Sequence, residues 1–156
     1  MRYLKGAAVL ACITVVAGLL PAVVQAQANP RIGTWKLDLS RSTYQQGEAP
    51  AKETRTYLAT DDGALQMTAD AVLKSGTKRP VGYRAKFDGK DYPYSATNGD
   101  SIAITGDGWT SDATIKMHSK IEQTVHSVIS KDGKTMTVVA KTASGAAVST
   151  RVYIKE

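Results

Sequence analysis

The sequence predicts an all-β fold: an antiparallel up-and-down meander of about 8–10 strands that closes into a β-barrel, with a two-sheet sandwich as the alternative. Three observations carry this. Apolar residues recur at every second position through segment after segment, the period of a strand with one face on a core. Turns rich in Gly, Asp and Ser separate these segments at near-regular intervals. Beyond the N-terminal leader, no stretch carries a helical stripe. Short turns make sequence neighbours pair, and closing the meander removes its exposed edges.

The leader comes first. Residues 1–26 place Arg2 and Lys5 ahead of an apolar run from Ala7 to Leu20, followed by small residues through Val24-Gln25-Ala26 and Ala26-Gln27-Ala28. This is the pattern of a cleaved secretory signal peptide, with processing expected after Ala26 or Ala28, and the run is shorter than the roughly 20 residues of a membrane-spanning helix. The expected product is exported, periplasmic or secreted, with no integral membrane segment after processing. Cys12, the only cysteine, falls inside the leader. Residues 29–156 therefore read as one domain held by sheet packing rather than disulfides.

Asn29-Pro30 leads into the first strand, where the alternation Gly33-Thr34-Trp35-Lys36-Leu37-Asp38 sets Trp35, Leu37 and Leu39 on one face. Residues 40–51 combine Ser, Gln, Gly47 and Pro50 without apolar periodicity and read as a loop with room for one helical turn. Residues 52–60 are extended, with Arg55 and Tyr57 opposite Thr54, Thr56 and Leu58; Asp61-Asp62-Gly63 then turns the chain into Leu65, Met67 and Ala69. After Ser75-Gly76 come Val81, Tyr83, Ala85 and Phe87 in strict alternation. Tyr92-Pro93-Tyr94 is placed at a sheet edge or barrel rim, because Pro93 has no amide hydrogen for a ladder. The remaining strands carry Ile102 and Ile104; Ala113, Ile115 and Met117; Val125, Ser127 and Ile129; and Met136, Val138 and Ala140. In the closing strand Val148, Thr150, Val152 and Ile154 form a semi-apolar face. If that face is inward, pleat parity turns Arg151 and Tyr153 to water.

Charge excludes one partner class. Removing Arg2 and Lys5 from 20 basic residues leaves 18 against 14 acidic, a net +4, scattered singly between apolar positions as on solvated strand faces. A nucleic-acid surface needs clustering, so no nucleic acid is expected. His118 and His126 stand eight apart with no carboxylate or cysteine at metal-ligand spacing and read as strand surface residues. The chain has no Gly-x-Ser-x-Gly elbow, phosphate loop or His-Glu-x-x-His. No metal, no cofactor and no enzymatic activity are expected.

Gly33-Thr34-Trp35 resembles the Gly-x-Trp signature on the first strand of the calycin superfamily, which joins the lipocalins and the fatty-acid-binding proteins. Gly33 to Leu37 is similar to the start of the fatty-acid-binding proteins, and Ser149-Thr150-Arg151-Val152-Tyr153 to their closing strand, whose Arg-x-Tyr pair holds a ligand carboxylate. Most of the domain also resembles small exported bacterial lipocalin-like proteins, with their Gly-Thr-Trp-Lys-Leu start and segments like Asp88 to Pro93 and Lys131 to Thr135. The resemblance implies a calycin-like barrel with a ligand inside. Two departures stand out: residues 40–51 are too short for the helical lid of the fatty-acid-binding proteins, and Ile154 replaces a charged residue.

The candidate ligand-binding residues are Arg151 and Tyr153, with Trp35 and Tyr83. An arginine inside an apolar barrel presents five fixed donors to a carboxylate or phosphate, and the tyrosine adds a hydroxyl. Two other placements of Arg151 fit the same residues: on the outer face, or stacked on Trp35 at the closed barrel end by cation–π contact, as an arginine does in the calycin pattern. Trp35 reads first as core. Tyr83, with Tyr57, Tyr92 and Tyr94, is amphipathic enough to line a barrel mouth. The expected function is that of an exported lipocalin-like protein binding a small hydrophobic or amphipathic molecule in the barrel interior. The alternative is a non-enzymatic structural or interaction module of the cell envelope with a filled barrel.

Overall fold

Ten strands follow one another along the chain in a computed structural model that describes residues 29–156. The leader, its cleavage positions and Cys12 lie outside the described residues. The strands are β1 (Gly33–Tyr44), β2 (Pro50–Ala59), β3 (Leu65–Leu73), β4 (Lys78–Ala85), β5 (Asp91–Ala96), β6 (Gly99–Gly106), β7 (Thr110–Met117), β8 (Lys120–Ile129), β9 (Thr135–Thr142) and β10 (Ala147–Lys155). Each pairs antiparallel with its sequence neighbours, and β1 pairs with β10, so the sheet closes into a barrel. There is no helix among the described residues, and none long and apolar enough to cross a membrane.

The interior follows the alternation read from the sequence. Leu65, Met67 and Ala69 of β3, Ile102 and Ile104 of β6, Ile115 of β7, Ile129 of β8, and Met136, Val138 and Ala140 of β9 are all buried. Two apolar clusters result: a larger one around Trp35, Tyr57, Met67, Met136 and Tyr153, and a smaller one of Ala85, Ile102, Ile104 and Ile115. The turns repeat one device. Thr60 and Ser130 each donate a hydroxyl, at 2.6 Å, to the aspartate two residues on (Asp62, Asp132), which also accepts a backbone amide of its own turn.

Several expectations are corrected. Residues 40–51 hold no helical turn: β1 runs on to Tyr44 and β2 starts at Pro50. Between Asp38 and Thr43 the register against β10 shifts, and Ser42 Oγ fills the gap by donating to the Asp38 carbonyl at 2.6 Å and accepting the Val152 amide at 3.0 Å. This bulge swings Leu39 out to 42% exposure, off the face it would share with Trp35 and Leu37. His118 lies in the β7–β8 turn rather than on a strand, where His118 and Ser119 take φ values of 50° and 66°. β5 has a neighbour strand on each side and is not a sheet edge, although Pro93 itself pairs only with Ser101 of β6. The β4–β5 ladder adapts by consisting only of Gly82 with Ser95 and Tyr83 with Tyr94, stopping where Arg84 would meet Pro93.

In the closing strand, the parity that would turn Arg151 and Tyr153 to water is not the one adopted. Tyr153 is fully buried inside the barrel and Arg151 lines its cavity, whereas Ile154 is 37% exposed. Of the semi-apolar face only Ile154 is exposed: Val152 is 7% exposed, and a register shift beside Ser149 lets Val148 line the cavity.

Candidate functional site

One end of the barrel is closed by the segment before β1. Trp35 Nε1 donates to the Arg31 carbonyl at 2.9 Å, tying that segment across the floor. Lys155, the last residue of β10, lays its ammonium 5.1 Å from the Trp35 ring centroid and donates to the Pro30 carbonyl at 2.8 Å. Gly33 makes this possible. Its φ of +123° suits only glycine, and a Cβ there would stand 3.0 Å from Lys155 Cε. The cation over Trp35 is thus Lys155, and the stacked placement of Arg151 is excluded.

Above this floor the interior is hollow. A cavity of about 390 Å³ opens toward the β1–β2, β3–β4 and β5–β6 connections, where Gln46, Gly47 and Asn98 rim it. Its walls mix the apolar residues of β3 and β6–β9 with a charged group on β2 and β10. Glu53, 6% exposed, accepts from Arg55 Nε at 2.7 Å and from the Tyr153 hydroxyl at 2.8 Å, both on Oε1. The Arg55 guanidinium also lies 4.5 Å from the Tyr153 ring centroid. Arg151 lines the same wall, yet its Nε is buried without a hydrogen-bond partner, as is the Tyr44 hydroxyl.

The electrostatics follow from this packing. Burial alone would raise the Glu53 carboxyl, but Arg55 and Arg151 together with the two hydrogen bonds outweigh it and hold its pKa below the usual carboxylate range. Arg55 is held firmly in its charged form, its burial being outweighed by Tyr153 and Glu53. Burial pushes the Tyr153 phenol far above its ordinary value, and pushes Tyr83, Tyr94 and Tyr44 upward as well. The wall therefore presents fixed cations and neutral phenols at any physiological pH.

Of the four candidates, Arg151 and Tyr83 line the cavity. Tyr153 is tied to Glu53 within the wall, and Trp35 lies beneath the floor as core. The four are not one cluster. Glu53, Arg55 and Arg31 were not singled out by sequence. Arg55 was placed opposite the threonines of its strand together with Tyr57, and that shared parity with a buried tyrosine is the signal that could have put it inside. Arg31 sits in the segment before the first strand and has no such signal. The reading of all charges as solvated strand faces fails for these residues. His126 does lie on the surface, 2.7 Å from Asp112, and no histidine lines the cavity. No family model and no curated protein matches the chain.

Proposed function

We propose that this chain is an exported, lipocalin-like binding protein that holds a small amphipathic molecule with an acidic head in its barrel interior. The single observation that carries this reading is the roughly 390 Å³ cavity with Arg151 on its wall, a buried guanidinium nitrogen left without a partner. A cavity of this size takes roughly a dozen water-sized groups, at the small end of ligand pockets. Leaving a buried guanidinium N–H without an acceptor is costly, and a ligand carboxylate would supply one. The open volume weighs against the filled-barrel module. The absence of a histidine from the cavity lining weighs against hydrolytic chemistry.

Membership of the calycin superfamily belongs to the same proposal. It is supported by the closed end, where a cation from the last strand covers the first-strand tryptophan and bonds the N-terminal segment. Here a lysine does what the resemblance implied for an arginine. Export to the periplasm or beyond is supported by the leader sequence.

Displacement of a fluorescent fatty-acid probe, together with native mass spectrometry of the exported protein, tests the reading. Bound or displaced ligand is expected. Arg151→Ala is expected to weaken probe binding at least tenfold while moving the unfolding midpoint little, since Arg151 has no ion-pair partner among the described residues. A protein that neither carries nor takes up any such molecule would return the barrel to the structural-module reading.

A further inference from the structure

A second arginine lines the same cavity, from the segment that closes the barrel floor. Arg31 is 2% exposed, and its Nη1 donates to Ser127 Oγ at 2.6 Å with Met136 Sδ at 3.7 Å. Its Nε and Nη2 are buried without partners. Ser111, itself buried, stands 3.4 Å from Ser127 and also faces the cavity. The guanidinium is flanked by the rings of Tyr57 and Phe87, at 5.8 and 5.7 Å from their centroids. Rings soften the burial of a cation but leave its in-plane donors unanswered. No carboxylate lies within ion-pair distance of Arg31 among the described residues. Asp107 feels its charge, but Asp107 Oδ1 is already taken by the amides of Trp109 and Thr110, at 2.7 and 2.8 Å.

This arrangement is held, not accidental. The segment carrying Arg31 passes over Gly108, where a Cβ would stand 2.8 Å from Pro30 Cδ, and the Asn29 side chain accepts the Arg31 amide at 3.0 Å. The floor cation is also distinct from the wall group. Arg55 and Arg151 both act on Tyr44, Glu53, Tyr94 and Tyr153, whereas Arg31 acts on Asp107 and shares Tyr83 with Arg55 alone. Ser127, the partner of Arg31, pairs with Val138, and Val138 pairs with Arg151. Two strand spacings thus separate the roots of the two subsites, on the order of 10 Å.

Charge balance agrees. Four arginines and two glutamates line the cavity; Arg79 and Glu48 at the exposed mouth offset one another, and Glu53 offsets Arg55. Arg31 and Arg151 remain, one in the floor segment and one on the β10 wall. We infer that Arg31, with Ser127 and Ser111, forms a second oxyanion subsite, so that the cavity is built for a small molecule bearing an acidic group at each end, such as an α,ω-dicarboxylate. The inference rests on the interior-binding reading above and specifies its ligand.

The test compares octanoate with suberate, and hexanoate and decanoate with adipate and sebacate, by calorimetric titration at neutral pH. At least one diacid is expected to bind tenfold or more tightly than its monoacid. Arg31→Gln is expected to remove that preference while leaving monoacid binding within threefold, and Arg151→Gln to weaken both ligands. Because Arg31→Gln also disturbs the floor, the Nε–H resonances of the wild-type arginines are followed in parallel. Suberate is expected to shift those of Arg31 and Arg151, and octanoate only one of them. If monoacids bind and diacids gain nothing, or the preference survives in Arg31→Gln, or the Arg31 resonance stays still, the floor subsite is overturned and the carrier reading stands. If neither class binds, both fall.

Discussion

At the closed end of the barrel, Trp35 and Met136 are fully buried beside Lys155 and the segment it ties down, and neither borders the cavity. On the β2–β10 wall nearer the mouth, Glu53, Arg55, Arg151 and Tyr44 border open volume with two of their polar atoms unpaired. The same two strands at the seam, β1 and β10, serve both regions, so the difference arises from side chains and not from topology. Packing at the floor supplies stability through filled volume. The wall supplies a fixed field of charge, which contributes little net stability by itself because desolvation offsets most of its attraction. A protein that only needed to fold would fill the second region like the first.

The largest effect expected from breaking this contrast is at the floor. Trp35→Ala removes the ring under Lys155 and the donor to the Arg31 carbonyl, and opens a void among Leu37, Tyr57 and Met136. A loss of about 3–5 kcal/mol is expected in urea unfolding, enough to threaten folding of a domain this size. An unfolding free energy within 1 kcal/mol of wild type, judged against the usual cost of removing a core aromatic, would mean the floor is not the stabilising region.

On the wall, Glu53→Gln keeps the shape but leaves Arg55 without its counter-charge. A loss of about 3 kcal/mol is expected, since breaking a buried pair strands the remaining charge. The same change is expected to tighten probe binding, because the cavity gains net positive charge. Stability and affinity moving in opposite directions would mark the wall as a site; both falling together would mark it as core. The pH dependence follows from the same carboxyl. Glu53 has a lower pKa folded than unfolded, so on acidification the unfolded chain takes up its proton first. Stability is then fully present above the ordinary carboxylate pKa of about 4.3 and is lost as pH falls from there through the lower folded value. Thermal unfolding of wild type and Glu53→Gln between pH 6 and 3 should show a steeper decline in the wild type, and parallel curves would remove Glu53 from the account.

Much of the fold was legible in the sequence and much of the site was not, for one reason. Strand pairing depends on period and turn chemistry, and both are local: Asp62 and Asp132 announce their turns, and the alternations in β3, β4, β6 and β9 point to the core correctly. Features set by distant partners stayed hidden. The bulge that expels Leu39 exists because Ser42 meets Val152 across the seam, 110 residues away. The His118–Ser119 turn lacks the glycine that marked its counterparts. The charged wall inverted the rule used to orient β10. Apolar-inward parity holds where an interior is filled and gives no guidance where an interior holds charge, so the residues of β10 alone leave open whether Arg151 and Tyr153 face the cavity or water.

That inversion carries the smallest effect and the sharpest test of the seam. Ile154 and Tyr153 are neighbours on opposite faces of β10. Ile154 pairs with Lys36 and Thr135 on the outer surface, so Ile154→Ser removes apolar area that water already reaches. A change within about 0.5 kcal/mol is expected. Tyr153→Ala one position earlier empties the space between Glu53, Arg55 and the apolar cluster and should cost several kilocalories more. Were the semi-apolar face inward, the order would reverse, with Ile154→Ser burying a hydroxyl in the core and Tyr153→Ala touching only solvent. The two unfolding curves, measured side by side, therefore report the parity of the closing strand. With it they report whether Arg151, on the same face as Tyr153, stands inside the barrel.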